Sequence, residues 1–278
     1  MPTLYIVATP IGNLDDLSLR AIELLRSVSV VVAEDTRVTR KLLDRVESTA
    51  RLISFHRRSG EKGAETIVRL LDDGDVALVS DAGTPGVNDP GQAIVAAAIH
   101  RGHDVVPIPG ASSVMAALSV CGFYADQFAS YGFLPANGSR RRRVLRQIAG
   151  QSMAAVMFET PHRLRDALAD TAEILGDRHL VICREMTKMH EEIWRGTADE
   201  ALLHFEKPRG EFVVVVAPLE RSGVGSQAMS AEDAEREILN IAAELDDEYE
   251  SRRDLVDAVA AEIGYPRRQV YQVLHRQR

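Results

Sequence analysis

DVALVS at residues 75–80 runs straight into DAGTPGVNDPG at 81–91. The first six residues are mostly apolar and do not alternate with polar ones, which is how a strand buried on both faces of a sheet reads. The next eleven hold three glycines and two prolines, the chemistry of a turn. A helical pattern follows at 90–101. Strand, glycine-rich turn and helix in that order make one step of an α/β fold. The step recurs. LYIVAT (4–9) runs into the turn at 9–14, TPIGNL, and DVVPI (104–108) precedes PGASS. VSVVVA (28–33) supplies a fourth strand, and further helical patterns lie at 17–27 and 62–73. In the first of these, Leu17, Ala21, Leu24, Leu25 and Val28 fall on one stripe, with Asp16 as the expected N-cap.

The rhythm changes after residue 120. Residues 121–139, CGFYADQFASYGFLPANGS, are rich in turn-formers, and a domain junction is expected there. Three more apolar runs follow: MAAVMF (153–158), HLVIC (179–183) and EFVVVVA (211–217). EEIWRGT (191–197) lies only about a dozen residues before the last, a short spacing that predicts antiparallel pairing. RSGVGSQA (221–228) reads as a flexible linker. Helical stretches at 230–245, 251–263 and 266–277 close the chain, with Gly264 at a helix stop and Pro266 at a helix start. The sequence therefore predicts an α/β protein: an N-terminal domain (1–120) with a parallel sheet, a second domain (121–220) with a mixed sheet, and a helical, helix-turn-helix-like extension (229–278).

Composition narrows the class. The chain has 278 residues, 45% hydrophobic and 27% charged, enough for two ordinary cores and unlike a disordered chain. No apolar run approaches the roughly 18 residues that span a bilayer. The start, MPTLYIVATP, has no basic region, so no signal peptide is expected. Cys121 and Cys183 cannot build a disulfide framework and read as two buried thiols of a cytoplasmic protein. The net charge of −8 argues against a general nucleic-acid coat. The charge is uneven, however. RRRRVLR at 140–146 holds five arginines, and 251–278 holds six arginines against Asp254, Asp257 and Glu262.

Three of the four N-terminal strands end in Gly/Pro-rich turns. In an open parallel sheet, ligands bind outside the carboxyl ends of the strands, and glycine lets them approach the backbone. A small-molecule site is expected there. The sequence has no G-x-G-x-x-G after a strand, no Walker A phosphate loop and no G-x-S-x-G elbow. His100 and His103 lack a carboxylate at ligand spacing, so no metal is expected. Backbone amides and small hydroxyls suit an adenosine-type ligand.

Several blocks occur in one order: TPIGNLDDLSLRAIELL, AEDTRVTRKLL (33–43), SDAGTPGVNDPG (80–91), PGASSVMAAL, GFLP (132–135), ETPHRL (159–164), REMTKMHEEIWRGT (184–197) and GEFVVVV (210–216). Together they resemble the ribosomal RNA small subunit methyltransferase I family, which are 16S rRNA cytidine 2′-O-methyltransferases within the tetrapyrrole methylase superfamily. The resemblance covers about residues 3–217. AEDTR and TKMHEE are its specific part. Ala8 and Asn88 stand where the family commonly has Gly and Ser, both small-for-small changes. The resemblance implies S-adenosyl-L-methionine in a cleft between two α/β domains. Its contacts would fall at Pro10, Thr84, Val87, Ser112, Ser113 and Phe158.

Methyl transfer from a sulfonium is an in-line displacement, and positioning contributes more to it than a general base does. Glu34, Asp35, His56, His190 and Glu191 are candidates for taking the ribose proton. Glu34 and Asp35 are preferred because they end strand 28–33 at the edge that carries the loops. The alternative for Asp35 is a helix cap paired with Arg37. RNA is held by phosphate contacts, for which the sequence offers Arg37, Arg40, Lys41, His56 with its neighbours Arg57 and Arg58, Arg140, Arg141, Arg163 and Lys188. The expected partner is 16S rRNA or the small ribosomal subunit, with the chain acting as a homodimer. A methyltransferase acting on a cobalamin or sirohaem precursor is the competing enzyme reading. A non-catalytic RNA-binding module is the competing reading outside enzymes, and the intact TPIGN, DAGTPG and PGASS loops argue against it.

Overall fold

In the computed structural model the run at 76–79 lies inside a five-stranded parallel sheet. The structure describes residues 2–86, 89–219, 231–245, 249, 251–263 and 267–275. The strands are β1 (Thr3–Val7), β2 (Val30–Ala33), β3 (Arg51–Ser54), β4 (Val76–Val79) and β5 (Asp104–Ile108), in the order β3-β2-β4-β1-β5. All four residues of β4 are buried, as its unbroken apolar run requires. Alternate side chains serve opposite faces. Val31, Ala33, Ala77 and Val79 pack with α1 (Leu19–Ser27) and α2 (Thr36–Arg45). Val32, Val76 and Leu78 pack with α3 (Gly60–Val68) and α4 (Gln92–His100).

The α1 start differs from expectation. Its N-cap is Ser18, whose hydroxyl accepts from the Ala21 N–H at 3.2 Å. Asp16 instead ends a short 3-10 turn capped by Asn13.

A second five-stranded sheet follows: β6 (Phe128–Phe133), β7 (Ala154–Glu159), β8 (Leu180–Arg184), β9 (Glu192–Gly196) and β10 (Phe212–Val216), in the order β6-β7-β10-β8-β9. The β6–β7 pair is parallel and the other pairs are antiparallel, so this sheet is mixed. FVVVV of β10 is fully buried in its middle. On one face pack α6 (Gly138–Ala149), α7 (Pro161–Leu175) and α8 (Ala198–His204). The other face takes α5 (Ser113–Ser119) through Val114 and Ala117, although α5 follows β5 of the first sheet in the chain.

Two strands had no counterpart in the sequence reading. Both β3 and β6 are edge strands with only a partly buried pattern, and β6 carries a bulge between Ser130 and Gly132. Edge strands need less apolar character because one side faces solvent.

The chain forms two compact units, Met1–Pro218 and Leu219–Arg278. The second contains α9 (Ala231–Leu245), α10 (Arg252–Ile263) and α11 (Arg267–His275) around Ile238, Leu255, Val259 and Val270. The expected linker 221–228 and the turn residues Gly264 and Pro266 lie outside the described residues. Among the described residues no helix is long and apolar enough to cross a membrane.

Candidate active site

The three glycine-rich turns meet because their strands β4, β1 and β5 are neighbours in the sheet. Thr9 and Gly83 exchange backbone hydrogen bonds at 2.9 and 3.0 Å. The Thr9 hydroxyl also donates to the Ser80 carbonyl at 3.0 Å, and the Ser80 hydroxyl donates to Gly83 O at 2.9 Å. Thr84 Oγ1 donates to Ala111 O at 3.3 Å, tying the long loop to the turn after β5. The Asp89 carboxylate accepts from the Gly86 and Gly91 N–H groups at 2.8 and 2.7 Å. Gly83 has φ +81°, which a side chain would strain. A Cβ at Gly110 would stand 3.0 Å from Ala8 Cβ, so these two turns touch through their smallest residues.

Above these turns is a cavity of about 460 Å³, within the range of small-molecule sites. Its walls come from both sheets of the first unit. Ile11, Asp81–Thr84, Ser112 and Ser113 line it from the first sheet; Phe133, Phe158, Glu159, Met186 and Phe212 line it from the second. The Phe133 and Phe158 rings tilt against each other with centroids 5.5 Å apart. Five lining residues are carboxylates: Glu34, Asp81, Asp89, Glu159 and Glu211. No lysine, arginine or histidine lines the cavity among the described residues. Such a lining suits a cationic ligand and disfavours a phosphate.

Glu159 is only 2% exposed. Burial pushes its carboxyl above the usual range, against the pull of Arg163 at 3.5 Å and the Thr160 N–H at 3.2 Å. Burial also pushes the Cys183 thiol up to about 11, so it stays protonated and is no nucleophile at neutral pH. Cys121 and Cys183 are both buried free thiols.

Of the expected cofactor residues, Thr84, Ser112, Ser113 and Phe158 line the cavity. Ser112 is also the N-cap of α5, accepting from Met115 N at 3.4 Å. Pro10 is buried in the turn, and its neighbour Ile11 takes the place in the wall. Val87 lies outside the described residues, as does Asn88.

The proposed bases separate. Glu34 faces the cavity. Asp35 is the N-cap of α2: its carboxylate accepts from the Arg37 N–H at 2.8 Å and from the guanidinium at 3.1 and 2.7 Å. Hydrogen bonds from Arg37 lower its pKa to about 2, which leaves a poor proton acceptor and matches the alternative of a helix cap paired with Arg37. His190 is exposed on the turn between β8 and β9 and is not among the residues that line the cavity.

The basic residues divide in the same way. Arg37, Arg40 and Lys41 are exposed on α2, and Arg140 is exposed on α6. His56 is exposed after β3, its Nε2 2.7 Å from Ser54 Oγ. Three of the expected RNA contacts are engaged in bonds within the fold. Arg141 is 7% exposed, and its Nε donates to Asp170 at 2.6 Å. The Arg163 guanidinium bonds the Leu134 carbonyl and Glu159. Lys188 bridges Glu185 at 2.9 Å and Glu211 at 2.8 Å.

Sequence reasoning missed Asp81, Asp89, Glu159, Glu211, Phe133 and Met186. Five of these six lie inside the quoted motifs DAGTPGVNDPG, GFLP, ETPHRL and REMTKM, and Glu211 falls in GEFVVVV. The available signal was a carboxylate or ring at a strand end.

Residues 3–202 match the family model described as Tetrapyrrole (Corrin/Porphyrin) Methylases. Uroporphyrin-III C-methyl transferase from Thermus thermophilus, solved complexed with S-adenyl homocysteine, superposes with a TM-score of 0.56 at 19% identity, over 77% of this chain and 97% of that one. Ribosomal RNA small subunit methyltransferase I of Synechocystis sp. is 40% identical over 98% of this chain and 97% of its own length. The protein of that name from Thermotoga maritima is 44% identical over 78% of this chain and 99% of its own length. The chain belongs to this methylase family, in its ribosomal RNA small subunit methyltransferase I branch.

Proposed function

We propose that the protein transfers a methyl group from S-adenosylmethionine to the ribose 2′ oxygen of a cytidine in small-subunit (16S) ribosomal RNA. The observation that carries this reading is the cavity at the carboxyl ends of β4, β1 and β5, rich in carboxylates and without a cationic side chain among the described residues. The names of the full-length relatives support the RNA half of it.

The residues present fit the cofactor. S-adenosylmethionine carries a sulfonium and an ammonium beside its carboxylate, and Asp81 and Asp89, which pair with no basic side chain among the described residues, offer counter-charges for the cations. The hydroxyls of Thr84, Ser112 and Ser113 are placed to hydrogen-bond polar edges, while Ile11, Phe133, Phe158 and Met186 cover apolar and aromatic surface. When bound, the cofactor supplies an electrophilic methyl carbon.

The chain's own task is then alignment. Holding the 2′ oxygen in line behind that carbon is worth effective molarities of about 10⁵–10⁸ M, and a base adds about 10²–10⁴. Glu34, facing the cavity and not serving as a helix cap, takes the 2′ proton. Arg40 and Lys41, exposed on the helix that starts beside Glu34, hold the RNA phosphates. A cytidine within folded rRNA must be splayed out to reach the cavity. In this reading the enzyme works in the cytoplasm, as a homodimer.

Methylation of a tetrapyrrole precursor is the alternative. Such precursors carry several carboxylates, which the unpaired lining carboxylates Glu34, Asp81 and Asp89 would repel. The experiment offers labelled S-adenosylmethionine with unmodified small subunits, naked 16S rRNA and a tetrapyrrole precursor in parallel. Label on a cytidine 2′ oxygen is the expected result. Label on the tetrapyrrole alone, or none on either RNA substrate, overturns the reading.

A further inference from the structure

The helical unit has a cleft of its own, about 360 Å³, between α10 and α11. Arg252, Arg253 and Val256 line it from α10, and Arg267, Tyr271 and His275 from one face of α11. Val256 is buried in the small core of this unit, so the floor is apolar and the rim is polar.

The three guanidiniums are not equivalent. Arg252 donates to the Leu274 carbonyl at 3.3 Å, closing the end of α11. Arg267 pairs with Asp257. Arg253 is exposed and has no ion-pair partner among the described residues. One paired carboxylate against three guanidiniums leaves the rim positive. Tyr271 is 53% exposed, and its ring centroid lies 4.4 Å from that of His275. An exposed aromatic face beside guanidiniums is the chemistry that holds an unpaired base and its phosphates.

We infer that this cleft binds single-stranded RNA, with Arg253 and Arg267 on phosphates and a base stacked on Tyr271. The choice of RNA rests on the proposed reaction. About a fifth of this chain lies outside its match to the Thermotoga relative, which is itself matched over 99% of its length, and that fifth is about the size of this unit.

The test is fluorescence anisotropy of the full chain with labelled oligocytidylate, between about 50 and 200 mM salt. Arg253→Ala with Arg267→Ala should weaken binding about tenfold and flatten the log–log salt slope by about 1.4, the share of two single-strand phosphates. Tyr271→Ala should weaken binding at least about fivefold, and Tyr271→Phe should restore it, because stacking needs the ring and not the hydroxyl. Arg253→Ala alone, which breaks no ion pair, guards against a folding artefact and should retain part of the loss.

Unchanged affinity in all the variants overturns the inference. So does polyglutamate displacing the chain's hold as well as oligocytidylate does at equal charge, which would mark an acidic protein partner. Methyl transfer to small subunits is measured alongside. Transfer with variant-insensitive oligocytidylate binding sinks this inference alone, and variant-sensitive binding without transfer sinks the proposed reaction alone.

Discussion

The Thr187 hydroxyl accepts the backbone N–H of Asn13 at 3.0 Å, joining the turn after β1 to the turn between β8 and β9. These segments lie 174 residues apart in the chain. The second turn also carries Met186, which lines the cavity, and holds Glu185 and Thr187 at φ +50° and +66°. Non-glycine residues in that region cost about 1–3 kcal/mol each and persist only where surroundings fix them.

Gly12 is where this junction is tightest. A Cβ there would stand 2.6 Å from Lys188 Cγ, 2.7 Å from Thr187 Oγ1 and 2.9 Å from Met186 O. Gly12→Ala should therefore cost about 1–3 kcal/mol, as overpacking does. It should also weaken S-adenosylmethionine binding by displacing Met186. Thermal melting and calorimetric titration read the two effects.

Asp170 is the counter-ion of a buried arginine. Burial raises its carboxyl pKa, but hydrogen bonds from Arg141 and Arg142 outweigh that and hold it below the ordinary value of 3.8. Asp170→Ala leaves the Arg141 charge buried and unpaired, and should cost about 3–5 kcal/mol in chemical denaturation. In the parent protein, the stability this carboxylate provides is complete above its unfolded pKa. It is lost as pH falls through the lower folded one.

Glu159 behaves in the opposite sense. Its folded pKa is raised, so its charge opposes folding, and stability falls as pH rises from the unfolded to the folded value. Glu159→Gln should raise the melting temperature at neutral pH. If its charge faces a cationic cofactor, the same change should weaken S-adenosylmethionine binding about tenfold, the scale of one charge-assisted hydrogen bond. Stability and affinity moving in opposite directions is the expected signature.

Glu34→Gln should lower kcat about 10²–10⁴-fold with S-adenosylmethionine affinity little changed. Asp35→Asn should lower the melting temperature slightly and leave kcat near that of the parent, because Asp35 caps α2. Single-turnover kinetics with saturating small subunits separates the two carboxylates.

The interior of the fold was legible because buried strands such as VALV and FVVVV have few other uses. The edges were not: RLIS and FASYGF are short and half exposed, and FASYGF lies within a segment rich in turn-formers. The site was legible where it is backbone. Glycine-rich turns at strand ends pointed to the cavity, and Thr84, Ser112, Ser113 and Phe158 line it. Charged residues were harder, because a sequence does not say which charges meet. RRRRVLR reads as a basic surface, yet Arg141 is turned inward to an aspartate 29 residues away. Asp35 and Glu34 are adjacent, yet one caps a helix and the other faces the cavity.

In the proposed reaction, the sorting of charge between the cavity and the exposed face of α2 would act as a filter on the substrate. At an effective dielectric of 20, a phosphate about 6 Å from a carboxylate is repelled by about 3 kcal/mol, and several such carboxylates would act together. A polyanion would thus be kept on the basic helix outside, and only its uncharged parts would enter at low cost. On an RNA strand the uncharged part next to each phosphate is the sugar, so the proposed discrimination between backbone and ribose would need no dedicated recognition residue.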